Sequence, residues 1–263
     1  MKMIDVHSHI DDERIFRNLE SIMKKCEEKN VVVISSGVNF ETNRKVLQIS
    51  EKYPFVKATA GFYPLDSIAE KIRIKRDEDL REIKPFSVEK ELLFVKENKE
   101  KFVAIGEIGM DFQIAVEYKK EQQEVFEKIL NFAKEIGKPV IIHSRKAELE
   151  CIEILENFKM KKVVMHCFNG RKSLIKKCVR NGWFLTVPPV LVRLNHFKII
   201  AELVPLENLL TETDSPYLSP VKGEINYPWN VEISIKEIAK IKKIEEEKVA
   251  EKIFKNATDL FGL

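Results

Sequence analysis

The sequence predicts a (β/α)8 barrel, and three observations predict it. Eight short apolar runs of strand length alternate with stretches of helical periodicity. The 263 residues suit one barrel of this kind, and no shift in composition marks a second domain, so residues 1–263 read as one unit. A doubly wound sheet fits less well, because no glycine-rich phosphate loop follows the first strand.

The first strand is Met3-Ile4-Asp5-Val6-His7-Ser8-His9. Alternation puts Asp5, His7 and His9 on one face and Ile4 and Val6 on the other. Two imidazoles so spaced can hold a divalent ion, with Asp5 beneath to orient a ring nitrogen. Asp11-Asp12-Glu13 then opens an amphipathic helix to about residue 29, with Ile15, Leu19, Ile22, Met23 and Cys26 facing the core. Val31-Val32-Val33-Ile34 reads as a buried parallel strand, residues 40–52 as a helix, and residues 55–60 as the third strand. Gly61-Phe62-Tyr63-Pro64 is a loop. The charged stretch 71–78 reads as a solvated excursion, with a basic flap over an anionic substrate as the alternative. Pro85 precedes a helix to about residue 99.

Phe102-Val103-Ala104-Ile105-Gly106 is the fourth strand and terminates in Glu107. A long helix over 116–135 leads to Pro139-Val140-Ile141-Ile142, which ends in His143. After a helix over 151–158, Lys162-Val163-Val164-Met165 ends in His166, and 171–180 is helical. Trp183-Phe184-Leu185-Thr186 is the seventh strand and 195–204 the next helix. Asn208-Leu209-Leu210-Thr211-Glu212 is the eighth strand, ending at Thr213-Asp214, and helices over 230–241 and 245–260 close the chain.

His7, His9, Glu107, His143, His166 and Asp214 thus all fall at the carboxyl ends of strands, which converge on one mouth in a barrel. Four of the chain's five histidines are among them. Polar groups gathered in one place need a cation or mutual hydrogen bonds to offset desolvation. Imidazole and carboxylate without thiolate suit zinc, manganese, nickel or cobalt and tolerate magnesium. The set predicts a binuclear site. Glu107 bridges one ion held by His7, His9 and Asp214 and a second held by His143 and His166. Ions about 3.5 to 4 Å apart can activate a water and bind a substrate oxyanion together. Glu107 and Asp214 are then the catalytic carboxylates, with Asp214 placed to take a proton from that water. His196, alone on a helix, reads as a solvent-side residue.

Bulk composition narrows the partners. With 45 basic and 42 acidic residues the net charge is +3, so no global field demands a nucleic-acid partner and any such contact is local. Cys26, Cys151, Cys167 and Cys178 form no CxxC pair, which argues against a disulfide framework or a structural zinc site. With no signal-peptide pattern and no apolar span of roughly 20 residues, a soluble cytoplasmic protein with no membrane contact is expected. Nothing in the sequence signals an oligomeric state. Arg145 after the fifth strand, and Arg171 with Lys172 at a helix start, are candidates for phosphate contact. Tyr63 could donate a hydrogen bond to a phosphate. Phe62, Tyr63, Phe112, Phe168 and Trp229 are candidate stacking surfaces, most of them reading as loop packing.

Taken together these residues resemble the TatD-type metal-dependent hydrolases of the amidohydrolase-like barrel superfamily. The likeness spans nearly the whole chain. It rests on Ile4-Asp5-Val6-His7-Ser8-His9, Gly106-Glu107-Ile108-Gly109-Met110-Asp111, and Gln122 or Gln123 with Phe126. It continues through Pro139-Val140-Ile141-Ile142-His143-Ser144-Arg145, His166-Cys167-Phe168-Asn169-Gly170 and Glu212-Thr213-Asp214-Ser215-Pro216-Tyr217. The resemblance implies a TIM barrel, one or two divalent metals at the six named residues, and phosphoester hydrolysis, commonly of DNA from a 3′ end. Departures lie on the substrate side. Where family members usually carry Gly-x-His-Pro this chain has Gly61-Phe62-Tyr63-Pro64, and where they tend to show Arg-Asn-Glu-Pro it has Ile225-Asn226-Tyr227-Pro228. Tyr is a poor substitute for His in proton transfer, its ordinary pKa being near 10.

The leading expectation is therefore a metal-dependent phosphodiesterase or deoxyribonuclease, a 3′ to 5′ exonuclease using metal-activated water, with DNA or another phosphodiester as substrate. Hydrolysis of an acyl ester or amide, such as an aminoacyl ester, is the alternative. Dihydroorotase-like enzymes usually place a carboxylated Lys on the fourth strand, where this chain has Glu107. A metal-binding scaffold without turnover would predict missing ligands, yet all six are present.

Overall fold

The computed structural model describes residues 1–69 and 83–263. Eight strands run parallel in sequence order: β1 (Met3–Ser8), β2 (Val31–Ser36), β3 (Val56–Ala60), β4 (Phe102–Gly109), β5 (Val140–His143), β6 (Val163–Met165), β7 (Phe184–Val187) and β8 (Leu209–Thr211). Each pairs with the next. The seam between β8 and β1 is held by a side-chain bond, Thr211 Oγ1 to the Ile4 carbonyl at 2.7 Å, and by Asp214 N–H donating to the His7 carbonyl at 2.9 Å. The barrel is thereby nearly closed. The charged stretch 71–78 lies outside the described residues.

The strands form where apolar residues run almost unbroken, because a parallel strand covered by helices is buried on both faces. Ile4, Val6, Val33, Ile34, Ala104, Ile105, Ile141, Ile142, Val163 and Val164 are all buried. The helices form where apolar residues recur at 3.6-residue spacing. Phe40–Lys52 begins at an Asn39–Thr42 capping box and turns Val46, Leu47 and Ile49 to the core. The single helix expected after β1 is instead two, Glu13–Phe16 and Leu19–Glu28, because Asn18 leaves the helical backbone region between them. Asn is weak inside helices for this reason.

Two irregularities position the mouth. The β1–β2 register shifts between Asp5 and Ser8, and the β4–β5 register between Ile105 and Ile108. Such shifts re-aim side chains. Glu107 consequently sits inside a strand that continues to Gly109 rather than at its end. Gly109 is at φ +139°, with its α-carbon against the His143 carbonyl where a β-carbon would not fit. Among the described residues no helix is long and apolar enough to cross a membrane.

Candidate metal centre

All six ligand candidates meet at the carboxyl-end mouth, with Glu107 in the middle. Its Oε2 faces His7 Nε2 at 3.7 Å and His9 Nε2 at 3.8 Å, beside Asp214 Oδ1, which is 3.6 Å and 3.4 Å from the same two nitrogens. Its Oε1 faces His143 Nδ1 at 2.6 Å and His166 Nε2 at 3.7 Å. The ligand atoms of His7, His9 and Asp214 lie within 4.8 Å of one another, and so do those of His7, Glu107 and His166. His143 stands outside the second trio, tied on both ring nitrogens.

Each histidine commits one nitrogen to a fixed partner and turns the other inward. His7 Nδ1 is 3.0 Å from Ser36 Oγ, and His9 Nδ1 is 3.1 Å from the Ser36 carbonyl. His143 Nε2 reaches Asp111 Oδ2 at 3.0 Å, and His166 Nδ1 reaches Glu212 Oε2 at 2.7 Å. Partners of this kind set which nitrogen carries the proton and orient the ring. Asp5 does not serve His7 in this way. Its carboxylate accepts from the His7 and Thr213 N–H groups and from Thr213 Oγ1, so it ties β1 to the β8 loop.

Charge follows from this packing. Burial alone would raise the Glu107 carboxyl, but His143, then His166 and His7, hold it well below the usual carboxylate range. Burial opposes protonation of His143 as well, yet Glu107 and Asp111 push it up to about 10. Glu212, Asp214 and Glu107 likewise bring His166 to about 9, and Asp214 with Glu107 and Asp11 brings His9 to about 9, each against burial. His7 is the exception. Burial and the neighbouring His166 hold it well below 6.5, so it stays neutral.

His7 also supplies the test of whether a cation fits. Its Nε2 is buried, has no hydrogen-bond partner among the described residues, and points between two carboxylate oxygens. An orphaned nitrogen of a neutral imidazole at that place is costly unless something accepts its lone pair or proton. A divalent ion beside Glu107 and Asp214 meets the need, and the hard-to-borderline donor set suits one.

The remaining sequence candidates scatter. Tyr63 borders the centre, its hydroxyl donating to Asp111 Oδ2 at 3.2 Å and its ring 5.1 Å from that of His143. Arg145 and Arg171 are exposed, without an ion-pair partner among the described residues. Phe62, Phe112 and Phe168 are buried, and Trp229 stacks on Tyr227 under Lys25, so these four pack the fold. His196 is half-buried rather than on the solvent side, its Nε2 on the Phe168 carbonyl. Asn226 is wholly buried and donates to the Thr213 carbonyl, holding the loop that carries Asp214. Ser36, Asp111 and Glu212 were not singled out from spacing. Asp111 and Glu212 do stand within the motifs around Glu107 and Asp214, and an acidic residue beside a buried apolar strand was the available signal.

Residues 4–262 match the family model described as TatD related DNase. The chain is 34% identical over 261 residues to an uncharacterized metal-dependent hydrolase of Methanocaldococcus jannaschii, MJ1582, covering 99% of this chain and 97% of that one. It is 32% identical to the human deoxyribonuclease TATDN3, covering 98% and 94%. Among solved structures it resembles YjjV, a TatD homologue of Escherichia coli, with a TM-score of 0.84 at 23% identity over 99% of this chain and 98% of that one.

Proposed function

The chain belongs to the TatD-related DNase family, and on that premise we propose that it is a divalent-metal-dependent hydrolase of phosphoester bonds that shortens DNA from its 3′ end. The observation carrying this reading is the buried, unpartnered His7 Nε2 between Glu107 and Asp214, at the centre of four inward-turned imidazoles. In this reading residues 1–263 act as one catalytic unit. The four unpaired cysteines fit a reducing cytoplasm.

His7, His9 and Asp214 would hold one ion and His143 and His166 a second, with Glu107 placed between the two sets. Bound divalent ions, whether zinc, manganese, magnesium, nickel or cobalt, supply Lewis acidity toward a phosphate oxygen and lower the pKa of a water. The chain's own residues do the rest. Asp111, Glu212 and Ser36 fix the rings, so that little reorganisation accompanies reaction. Asp214, partly exposed at the open side of the centre, would take a proton from water through the carboxylate oxygen that does not face the histidines. Arg145 and Arg171, both exposed, would offer charge to a substrate phosphate, and Tyr63 a phenol beside His143.

The test is hydrolysis of a 5′-labelled single strand by metal-depleted protein resupplied separately with magnesium, manganese or zinc. A ladder shortening from the 3′ end, absent in Glu107→Ala, is expected. Intact DNA despite measured metal occupancy would overturn the nuclease reading in favour of a small diester or acyl substrate.

A further inference from the structure

We propose that the Arg14–Tyr217 pair is the platform on which the base of the nucleotide beside the scissile phosphate stacks; this rests on the reading of the chain as a DNA hydrolase. Tyr217 stands in the loop after β8, three residues beyond Asp214, and its N–H donates to the Asp214 carbonyl at 2.8 Å. That turn fixes the ring to the catalytic carboxylate. The ring lies 6.3 Å from the imidazole of His9 with the planes at 77°, so it forms the wall next to the centre. Tyr217 is 38% exposed, whereas Phe62, Phe112 and Phe168 are buried.

The guanidinium of Arg14 lies over the Tyr217 ring, Cζ to centroid 4.5 Å. Asp12 holds it there with two bonds, to Nε at 2.9 Å and Nη2 at 2.8 Å. The Arg14 side chain is still 45% exposed. Because Asp12 balances its charge, the pair offers a flat, preorganised π-surface more than a phosphate anchor. Such surfaces bind bases through stacking and tolerate any of them, since every base has a π-face. The chain's near-neutral overall charge fits recognition by stacking at one place rather than by a field. Little preference among the four bases follows.

The experiment compares kcat/KM on two single strands with manganese-loaded protein, one intact and one carrying a base-free tetrahydrofuran nucleotide at the terminal or penultimate 3′ position. Wild type should prefer the intact strand by on the order of tenfold, mainly through KM. Tyr217→Ala should bring the ratio close to one, Arg14→Ala should lower it, and Tyr217→Phe should keep it. A wild type without preference, or a Tyr217→Ala that retains it in full, would overturn the platform. Protein that cuts neither strand would overturn the DNA reading itself, and the platform with it.

Discussion

The two sides of Glu107 are built differently. On the Oε2 side, the rings of His7 and His9 are steadied by neutral oxygens, the hydroxyl and carbonyl of one residue, Ser36. On the Oε1 side, His143 and His166 are each backed by a carboxylate, Asp111 and Glu212. Carboxylate backing makes an imidazole more basic and its orientation stiffer. On the proposed reading, the Oε1 side would retain a cation tightly. The Oε2 side, with neutral His7 and the partly open Asp214, would on the same reading serve exchange and proton transfer.

The largest effect that would sharpen this contrast is on turnover. Asp214→Asn should lower kcat by about a hundredfold or more, the usual weight of a lost general base, while one ion stays bound. Metal analysis alongside kinetics checks both halves; an unchanged kcat would remove Asp214 from proton transfer. Next, Asp111→Asn and Glu212→Gln should each weaken metal affinity about 10- to 100-fold, and Ser36→Ala should cost less. Equal losses in competitive chelator titrations would erase the distinction between the sides.

Protons offer a third probe. In metal-depleted protein His143 keeps its proton up to about 10, and His9 and His166 up to about 9, so each is charged at pH 7 and must lose that proton when it binds metal. Loading should therefore release protons at neutral pH, and apparent affinity should climb as pH rises toward 9 to 10. Calorimetry in buffers of differing ionisation enthalpy measures the release; none would contradict the assignment. The smallest expected effect is on stability. Asn226→Ala leaves the buried Thr213 carbonyl without its partner, a loss of about 1–3 kcal/mol read from denaturant unfolding.

Much of this was legible in the sequence, and the reason is periodicity. Unbroken apolar runs such as Val31-Val32-Val33-Ile34 belong to a sheet covered on both faces, and the polar residue ending each run marks the mouth. The six residues so marked do meet. What spacing could not give is who backs whom. Asp5 lies two residues from His7 and was expected to orient its ring, yet Ser36, from the neighbouring strand, does so. Partners across strands depend on register, and the register shifts at Asp5 and Ile105 are local departures from pleating that alternation does not encode. Tyr217 stands in the motif around Asp214, but what sets it apart from the buried phenylalanines is exposure, which residue type does not encode.

The central claim is that Glu107 joins the two sides, and metal content tests it most directly. Wild-type protein loaded with manganese or zinc, dialysed and measured by elemental analysis, should carry two ions per chain, and Glu107→Gln should retain at most one. Unchanged occupancy in Glu107→Gln, in a variant that melts like wild type, would contradict the bridging arrangement.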